Sequence, residues 1–501
     1  MKQALLSVTD KTGLVAFAAA IAPYYRILST GGTYLTLIEA GIPAEKVEDI
    51  TGVDELFDGR VKTLHPIIHG GILYKRDNKQ HQIQANQNLI MSIDLVVVNL
   101  YRFSETKNNT DDEDTITEAI DIGGPALLRS AAKNHKHVSV LSDPDDYELF
   151  VSMMGPDGDV PEPFKKQLAA KAFLSTAEYD MDIVSYFYEE PFPKKLHLKG
   201  DLKEVLRYGE NPHQKAAFYE TKQTTYSMAS AKQLHGKPLS YNNILDGDAA
   251  LGLILEFEQP TAVAIKHTNP CGVAQATTIE EAYEKAYQAD PVSIFGGIVA
   301  LNRPVTRALA ERLNELFLEV ILAPDYDEDA LNLLKKKKNL RVLSYLTGPH
   351  TQEAHLRSVT GGVLVQTKDD VPFDLEQIEG LEPVDFETME EMRFAHNIVK
   401  HVKSNAIVII KDYQTVGVGA GQMNRVGAAK IALEQAGKKA EGAILASDGF
   451  FPFKDTVELA AQYGIKTIIQ PGGSINDQES IDACKEYGIA MCFTNRREFM
   501  H

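Results

Sequence analysis

Short apolar runs alternate with amphipathic stretches over most of this 501-residue chain. The first part reads QALLSV, TGLVAFAAAIA, RILST and GTYLTLIEAG, and IDLVVVNLY and HVSVLSD follow later. The same alternation of an apolar run with an amphipathic stretch recurs in TAVAIKH with IEEAYEKAYQAD, and in AIVIIKD with VGAAKIALEQAGKKA. Strand and helix patterns in alternation predict a largely parallel sheet covered by helices on both faces. We therefore expect an α/β protein throughout.

The chain is longer than a typical single domain, so we expect two to four domains. The stretch EEPFPKKLHLKGD, residues 189–201, combines two prolines, a glycine and mixed charge, and is our candidate boundary. We expect one domain at 1–195 and a second at 200–501. Within the second, AVAIK and IVIIK both end an apolar run on a lysine. One such match is a weak sign of an internal duplication.

Composition argues against several function classes. The net charge of −19 disfavours a general binder of nucleic acid or anionic membranes. Three cysteines give no disulfide framework and fit a reducing compartment. The apolar run before Asp10 is too short for a signal-peptide core, and no segment has the length of a membrane span. We expect a cytoplasmic protein with no nucleic-acid or membrane partner.

Two segments rich in hydroxyls and glycines follow predicted strands. LLSVTDK and LSTGGT each open a predicted helix, whose first turn presents unpaired N–H groups. An ordinary Ser/Thr-capped helix is the structural alternative, and either motif alone favours it. Two such motifs at successive strand ends favour a phosphate site, because ligands of parallel sheets lie at the carboxyl ends. The candidate phosphate-binding residues are Ser7, Thr9, Lys11, Ser29, Gly31, Gly32 and Thr33.

The segment DGRVKTLHPIIHGGIL is basic, and Pro66 and Gly70-Gly71 predict an ordered loop rather than a regular helix. Such a loop can neutralise an anionic ligand, whereas the alternative is a solvated basic loop. His65 and His69 are four residues apart, but with Pro66 between them and no carboxylate nearby we expect no metal site. A further glycine-opened helix is predicted in IDIGGPALLRSAAKNH.

Two adjacent titratable residues, Lys266 and His267, end the apolar run of AVAIKHTNPCGVA. A strand that surfaces into solvent is one interpretation, and a proton-transfer site is the other. Neighbouring strand residues point to opposite faces, so both serve one site only if the strand ends there. We expect Asn269-Pro270 and Gly272 to supply that ending.

These motifs together resemble a known family. SVTDKTGL, STGGT, DGRVKTLHP, VNLY and IDIGGPALLRSAAKN resemble its IMP cyclohydrolase half. LRYGENPHQKAAFY, SYNNILD, IKHTNPCG, IFGGIVALNRPV, VKSNAIV, GAGQ and SDGFFPFKD resemble its AICAR (5-aminoimidazole-4-carboxamide ribonucleotide) transformylase half. The resemblance implies a methylglyoxal-synthase-like parallel-sheet core at about 1–145 with a helical extension to 195. It also implies two cytidine-deaminase-like α/β/α subdomains within 200–501, and a homodimer with transformylase sites between subunits.

The resemblance implies two consecutive reactions. Formyl passes from the cosubstrate 10-formyltetrahydrofolate to the amine of AICAR, and the product closes to inosine monophosphate (IMP) with loss of water. His267 would manage the amine proton while Lys266 assists the oxyanion or the leaving group. The other transformylase residues implied are Arg207 and Tyr208 at the nucleotide, Arg497 at the phosphate, Asn405 at the aminoimidazole or folate, and Asp448 and Phe451 at the folate.

For the cyclohydrolase, the resemblance assigns Lys62 and Thr63 to polarising the formyl carbonyl or relaying protons. The remaining acid–base and orienting set is Tyr101, Asp121 and Lys133, and Arg60 joins the phosphate and ribose contacts. No metal is required. Zinc chemistry of the deaminase kind needs a His-x-Glu element, which the chain lacks, and a second thiolate, which Ala274 replaces.

Some positions depart from the family pattern. Arg102 stands where proline is usual, and His396-Asn397 where a Trp-Lys pair is common. The tail TNRREFMH is atypical, which makes Arg496 the alternative to Arg497. A catalytically silent nucleotide- or folate-binding regulator on the same folds is the rival interpretation, and the intact Lys62, Lys266 and His267 argue against it.

Overall fold

The computed structural model describes residues 1–57, 59–188, 190, 192–221, 226–347, 354–369, 371, 373, 379–380 and 384–501. The chain separates into two compact units, Met1–His197 and Leu198–His501. Across these ranges no helix combines the length and apolar character needed to cross a membrane.

The described part of the first unit is built on a sheet of five strands in the order β3-β2-β1-β4-β5. All neighbouring strands are parallel. The strands are β1 (Lys2–Val8), β2 (Tyr25–Ser29), β3 (Glu45–Lys46), β4 (Leu95–Asn99) and β5 (Ser139–Leu141). Their near-continuous apolar runs are buried on both faces, as expected of a parallel sheet between helices.

Helices connect and cover these strands. They are α1 (Leu14–Ile21), α2 (Gly31–Glu39), α3 (Val47–Thr51), α4 (Pro66–Leu73), α5 (Lys79–Gln87), α6 (Phe103–Asn109), α7 (Glu113–Glu118), α8 (Gly123–Lys133), α9 (Tyr147–Met153) and α10 (Glu162–Phe187). A 3₁₀ turn at Pro144–Asp146 precedes α9. The long α10 packs against α8 and β5 and forms the predicted helical extension.

The expectation that Pro66 and Gly70-Gly71 prevent a regular helix is wrong. Pro66 is the first residue of α4, where its fixed φ suits a helix and its missing N–H costs nothing. His65 caps this helix, because its Nδ1 accepts from the backbone N–H of Ile67 at 3.2 Å. Gly71 has a packing role: a Cβ there would lie 2.5 Å from the carbonyl oxygen of Met91.

The second unit contains a sheet of twelve described strands in the order β16-β21-β20-β19-β17-β18-β10-β9-β11-β12-β13-β8, and two separate hairpins, β6-β7 and β14-β15. The strands are β6 (Asp201–Leu206), β7 (Ala216–Glu220), β8 (Lys232–His235), β9 (Thr261–Lys266), β10 (Asn269–Gln275), β11 (Ile298–Leu301), β12 (Val320–Ala323), β13 (Arg341–Ser344), β14 (Ala354–Val359), β15 (Gly362–Thr367), β16 (Glu379–Gly380), β17 (Ile407–Lys411), β18 (Gln414–Gly419), β19 (Ile444–Ser447), β20 (Thr467–Gln470) and β21 (Ala490–Phe493).

The helices of this unit lie between those strands in chain order. They are α11 (Tyr241–Ile254), α12 (Ile279–Ala289), α13 (Arg307–Glu315), α14 (Glu328–Leu334), α15 (Phe386–Val399), α16 (Arg425–Ala436), α17 (Asp455–Gln462) and α18 (Asp477–Tyr487). A 3₁₀ turn at Gly437–Ala440 follows α16.

The second unit is an internal duplication. Each half runs helix, antiparallel hairpin, helix, strand, helix, strand, helix, strand: α11 to β13 in the first half, and α15 to β21 in the second. In each half the strand after the hairpin is antiparallel to the hairpin's first strand, and the last strands are parallel. The halves meet where β10 pairs with β18. Lys266 and Lys411, the two lysines of the repeated sequence, end equivalent strands.

Candidate active sites

A cavity of about 540 Å³ opens at the carboxyl ends of β1, β2 and β4 in the first unit. This is the point where the strand order of the sheet reverses, and such crevices are the usual ligand sites of open parallel sheets. The cavity brings together predicted residues from five separate segments of the chain. These are Ser7, Thr9, Gly31, Gly32, Thr33, Arg60, Lys62, Thr63, Tyr101 and Asp121.

Two ammonium groups flank the first turn of α2 at this cavity. A Cβ built on Gly31 would lie 3.3 Å from Lys62 Nζ, and one on Gly32 would lie 3.5 Å from Lys11 Nζ. The first N–H groups of a helix have no partner within it and carry a partial positive charge. Two cations, free backbone donors and nearby hydroxyls together make a cradle for a phosphate.

Lys62 is fixed at the cavity wall by two carboxylates. Its Nζ donates to Glu55 Oε2 at 2.5 Å and lies 3.6 Å from Glu48 Oε1. The hydrogen bond and the charge of Lys62 lower the pKa of Glu55. Thr63 lies close by against the first turn of α8, since a Cβ on Gly123 would be 3.0 Å from its Oγ1. A cation and a hydroxyl therefore line the same cavity, and groups of these two kinds can polarise a carbonyl.

Asp121 and Tyr101, the two predicted acid–base residues of this region, both line the cavity. Asp121 Oδ1 accepts from the N–H of Gly124 at 2.7 Å. Burial raises the pKa of Asp121, while hydrogen bonds from the amides of Gly124 and Tyr101 oppose the rise. Burial also raises the pKa of Tyr101, and the charge of Asp121 raises it further. A carboxyl with a raised pKa in a cleft is a candidate for proton transfer.

In the second unit, Lys266 and His267 lie at the tip of the β9–β10 hairpin. His267 and Thr268 form its two-residue turn, with φ of 50° and 62°. The expectation that Asn269-Pro270 and Gly272 end the strand is wrong, because Asn269 already begins β10. Pro270 is accommodated next to a break in register between Pro270 and Gly272. The chain thus reverses on the histidine itself.

Hydrogen bonds hold this tip in place. Lys266 Nζ donates to the carbonyl oxygen of Phe295 at 2.5 Å. Asn269 Nδ2 donates to the carbonyl oxygen of His267 at 3.0 Å, and Asn269 Oδ1 accepts from the N–H of Lys403 at 3.1 Å. Asn269 therefore joins the histidine turn to the segment that leads to Asn405.

Asn405 is oriented by two contacts. Its Oδ1 accepts from Arg425 Nη2 at 2.9 Å, and its Nδ2 donates to the carbonyl oxygen of Gln422 at 2.8 Å. Arg425 is also the buried ion-pair partner of Asp448. Asp448 has no exposed surface and accepts from Ser404 Oγ at 2.5 Å. Its carboxyl is therefore bonded within the protein, to Arg425 and Ser404.

Comparison with known proteins shows the family of the chain. The model of the "AICARFT/IMPCHase bienzyme" family matches residues 131–435, and the "MGS-like domain" model matches residues 13–126. The "Bifunctional purine biosynthesis protein PurH" of Oceanobacillus iheyensis is 52% identical over 100% of both chains. The proteins of the same name from Halalkalibacterium halodurans and Lysinibacillus sphaericus are each 53% identical, again over 100% of both chains. The chain belongs to the AICARFT/IMPCHase bienzyme family.

A crystal structure of ForH is 36% identical in sequence and covers 37% of this chain and 97% of its own, with a TM-score of 0.35. That likeness is too partial to bear on the fold of this AICARFT/IMPCHase bienzyme.

Three residues expected in the cyclohydrolase half of the bienzyme do not line the cavity. One is Lys11, although its Nζ lies beside Gly32 of the cavity wall. Ser29 is fully buried, and its Oγ donates to the carbonyl oxygen of Leu6 at 2.9 Å, so it ties β2 to β1. Lys133 is exposed and is the last residue of α8, which places it about 15 Å along the helix from the turn at Gly123. Arg60 does line the cavity and forms an ion pair with Glu118.

In the second unit, the aromatic segment at residues 450–453 is split between core and surface. Phe451 has no exposed surface and belongs to a core cluster, so its ring offers no face to a ligand. Phe450 and Phe453 are 38% and 59% exposed. If an aromatic ring of this segment stacks on a flat ligand, these two are the accessible ones.

The remaining predicted arginines lie at the surface of the second unit. Arg207 follows β6, and its guanidinium lies 4.6 Å from the ring centre of Tyr208. Arg497 is exposed and stacks on Phe499 at 4.5 Å. Arg496, the alternative, is held by Asp369 Oδ1 at 2.7 Å and by further contacts, so Arg497 is the freer of the two to meet a phosphate.

The sequence analysis did not predict that four residues hold predicted site residues, or their neighbours, in place. These are Tyr179, Asp246, Asn269 and Arg425. Each acts through a contact in three dimensions rather than through a local motif. Asn269 is part of a recognisable motif, but there it is expected to end a strand. The other three lie on helices α10, α11 and α16 and reach residues 20 to 58 positions away.

Proposed function

We propose that this chain carries out the last two steps of purine biosynthesis, with AICAR transformylase in the second unit and IMP cyclohydrolase in the first. Membership of the AICARFT/IMPCHase bienzyme family supports both reactions. One observation carries the assignment of the first unit: Lys62 lies in the same cavity as Asp121, and Lys11 and Lys62 both approach the first turn of α2.

Cyclisation joins the carboxamide nitrogen of formyl-AICAR to its formyl carbon and then expels water. In our proposal the nucleotide phosphate lies against Gly31 and Gly32. Lys62 and Thr63 polarise the formyl oxygen, which raises the electrophilicity of the carbon and stabilises the developing oxyanion. Asp121, with its raised pKa, takes the nitrogen proton, and Tyr101 serves in the proton relay to the departing hydroxyl.

Formyl transfer needs a proton acceptor, because the amine of AICAR is a weak nucleophile next to its electron-withdrawing carboxamide. His267 removes the amine proton as nitrogen attacks the formyl carbon of 10-formyltetrahydrofolate. Lys266 stabilises the oxyanion or protonates the departing folate nitrogen. Asn405 orients the aminoimidazole or the folate near them. We propose no metal in either step.

We further propose that two copies of the chain form a homodimer. Both strands of the β14–β15 hairpin are largely exposed, and so is β6, whose Val205 is 70% exposed. Exposed apolar surfaces of this kind are usually buried in an interface, and we propose that a second copy of the chain buries them. A dimer by analytical ultracentrifugation is the expected result. We place the enzyme in the cytoplasm, consistent with its free cysteines Cys271, Cys484 and Cys492.

The test is a time course of the pure protein with AICAR and 10-formyltetrahydrofolate, resolved by chromatography. Tetrahydrofolate and IMP should appear together. Accumulation of formyl-AICAR would leave the transformylase standing and reject the assignment of the first unit. No turnover by a folded dimer would favour the silent-binder interpretation.

A further inference from the structure

The two halves of the second unit carry the same unusual hairpin tip. In the first half the turn is His267-Thr268, and in the second it is Asp412-Tyr413. All four residues have positive φ: 50°, 62°, 53° and 55°. Two-residue turns of this handedness favour Asn and Gly, so non-glycine residues, and a β-branched threonine above all, are strained there.

Each tip is met by a carboxylate from the same position of the duplicated fold. Asp246 is the sixth residue of α11, and Glu391 is the sixth residue of α15. Asp246 Oδ1 accepts from the N–H of Thr268 at 2.8 Å, and the N–H of His267 also bonds to this carboxyl.

Glu391 repeats this arrangement in the second half. Its Oε1 accepts from the N–H of Tyr413 at 3.0 Å, and the N–H of Asp412 bonds to the same carboxyl. A carboxylate that accepts from successive amides gives a strained turn one preferred geometry. The carboxylate-capped tip is thus a property of the repeat and not of either half alone.

The lysines that precede the two tips match as well. Lys266 Nζ donates to the carbonyl oxygen of Phe295, and Lys411 Nζ donates to that of Glu441 at 2.6 Å. Phe295 and Glu441 each lie three residues before the next strand of their half. What distinguishes the first tip is therefore its histidine.

We propose that Asp246 is a positioning residue for formyl transfer: its carboxylate fixes the backbone of the His267-Thr268 turn and so holds the His267 imidazole where it meets the amine of AICAR. This inference rests on the proposed role of His267. Glu391 performs the same structural task at a tip that carries no proposed catalytic group. The chain therefore contains its own matched control.

The experiment compares Asp246→Ala, Asp246→Asn, Glu391→Ala and His267→Ala in the full-length enzyme. Formyl transfer is measured as kcat and KM for AICAR, together with Tm. We expect Asp246→Ala to lower kcat about 10- to 100-fold, because a catalytic group displaced by about 1 Å costs rates of this order. The KM for AICAR should change less than about threefold, since no contact with the nucleotide is removed.

The two remaining carboxylate variants separate positioning from stability. Glu391→Ala should lower Tm by a similar amount to Asp246→Ala and leave kcat within about twofold of the parent enzyme. Asp246→Asn keeps one acceptor oxygen, which accepts more weakly than a carboxylate, and should recover part of the lost kcat while staying at least about threefold below the parent enzyme. Equal losses of kcat from Asp246→Ala and Glu391→Ala, or a normal kcat in Asp246→Ala, would overturn the inference. Should Asp246→Ala not fold, a kcat in Asp246→Asn below that of Glu391→Ala supports the inference and an equal one overturns it.

His267→Ala separates this inference from the proposed function. Loss of formyl transfer in His267→Ala with normal transfer in Asp246→Ala rejects only the role of Asp246. Full activity in His267→Ala rejects the catalytic role of the turn, and the inference falls with it.

Discussion

The phenolic oxygen of Tyr179 lies 2.7 Å from the backbone nitrogen of Asp121. The hydroxyl accepts from that N–H and donates to the carbonyl oxygen of Ala119 at 3.1 Å. A single side chain of α10 therefore fixes the loop that brings Asp121 into the cavity. The ring is secured in turn by an edge-on contact with Phe103 at 6.4 Å. The helical extension of the first unit thus supports the wall of the cavity.

Tyr179→Phe should slow cyclisation and leave formyl transfer unchanged. The substitution keeps the ring and removes two hydrogen bonds, which costs about 1–2 kcal/mol of stability and lets Asp121 shift. We expect cyclisation of formyl-AICAR to fall about tenfold. Tyr186→Phe is the control, because Tyr186 lies on the same helix and packs against the same Phe103. Equal cyclisation rates in the two variants would contradict the positioning role of Tyr179.

The main effect of Asp448→Ala should be a loss of protein stability rather than a higher KM for 10-formyltetrahydrofolate. The carboxyl is fully buried and neutralises Arg425, so its removal leaves a buried guanidinium without its counter-charge. We expect the free energy of unfolding to fall by about 3–5 kcal/mol in a denaturant titration. A rise in the KM for 10-formyltetrahydrofolate with no loss of stability would show instead that the carboxyl meets the ligand directly.

The Glu256 ion pairs should make stability depend on pH. Glu256 Oε1 lies 2.7 Å from Lys400 Nζ and 3.1 Å from His401 Nε2, so it joins the end of α11 to the end of α15. Burial alone would raise the pKa of Glu256, but the hydrogen bonds and charges of His401 and Lys400 outweigh burial and lower it from 4.5 to about 2.

Because the folded state prefers the ionised carboxyl, this stability is present above pH 4.5 and is lost as the pH falls towards 2. Glu256→Gln should therefore lower the free energy of unfolding by about 1–2 kcal/mol more at pH 7 than at pH 3.5. Chemical denaturation of both proteins at the two pH values checks this. If Glu256→Gln lowers the free energy of unfolding equally at both pH values, folding does not favour the ionised form of Glu256.

Much of the architecture follows from the sequence for clear physical reasons. Buried parallel strands need continuous apolar runs, so β1, β4 and β9 are visible as such. The paired glycines Gly123 and Gly124 correctly indicate where helix α8 begins. Helix α4 is not predicted, because a proline inside a helix usually breaks it. Pro66 is instead the first residue of α4, where a proline is tolerated, and the sequence alone does not show this position.

The candidate sites are predicted unevenly. Residues that follow strands, such as Thr9 and Gly31, fall in the cavity because parallel strands bring their carboxyl ends together. Asp448 and Phe451 share a motif with exposed phenylalanines, and sequence spacing does not tell which side chains turn inward. Asp246 and Tyr179 support other residues through contacts across the fold, so no local pattern marks them.

The central claim is that one chain carries two independent sites, one in each unit. The most direct test mixes two full-length variants, each impaired at one site, Lys62→Ala and His267→Ala, with AICAR and 10-formyltetrahydrofolate. Alone, Lys62→Ala should accumulate formyl-AICAR, and His267→Ala should be slowed about 10²- to 10⁴-fold in formyl transfer. The mixture should produce IMP, because each variant supplies the step that the other lacks. A mixture that forms no IMP, or a Lys62→Ala variant that forms it at the normal rate, would contradict the account.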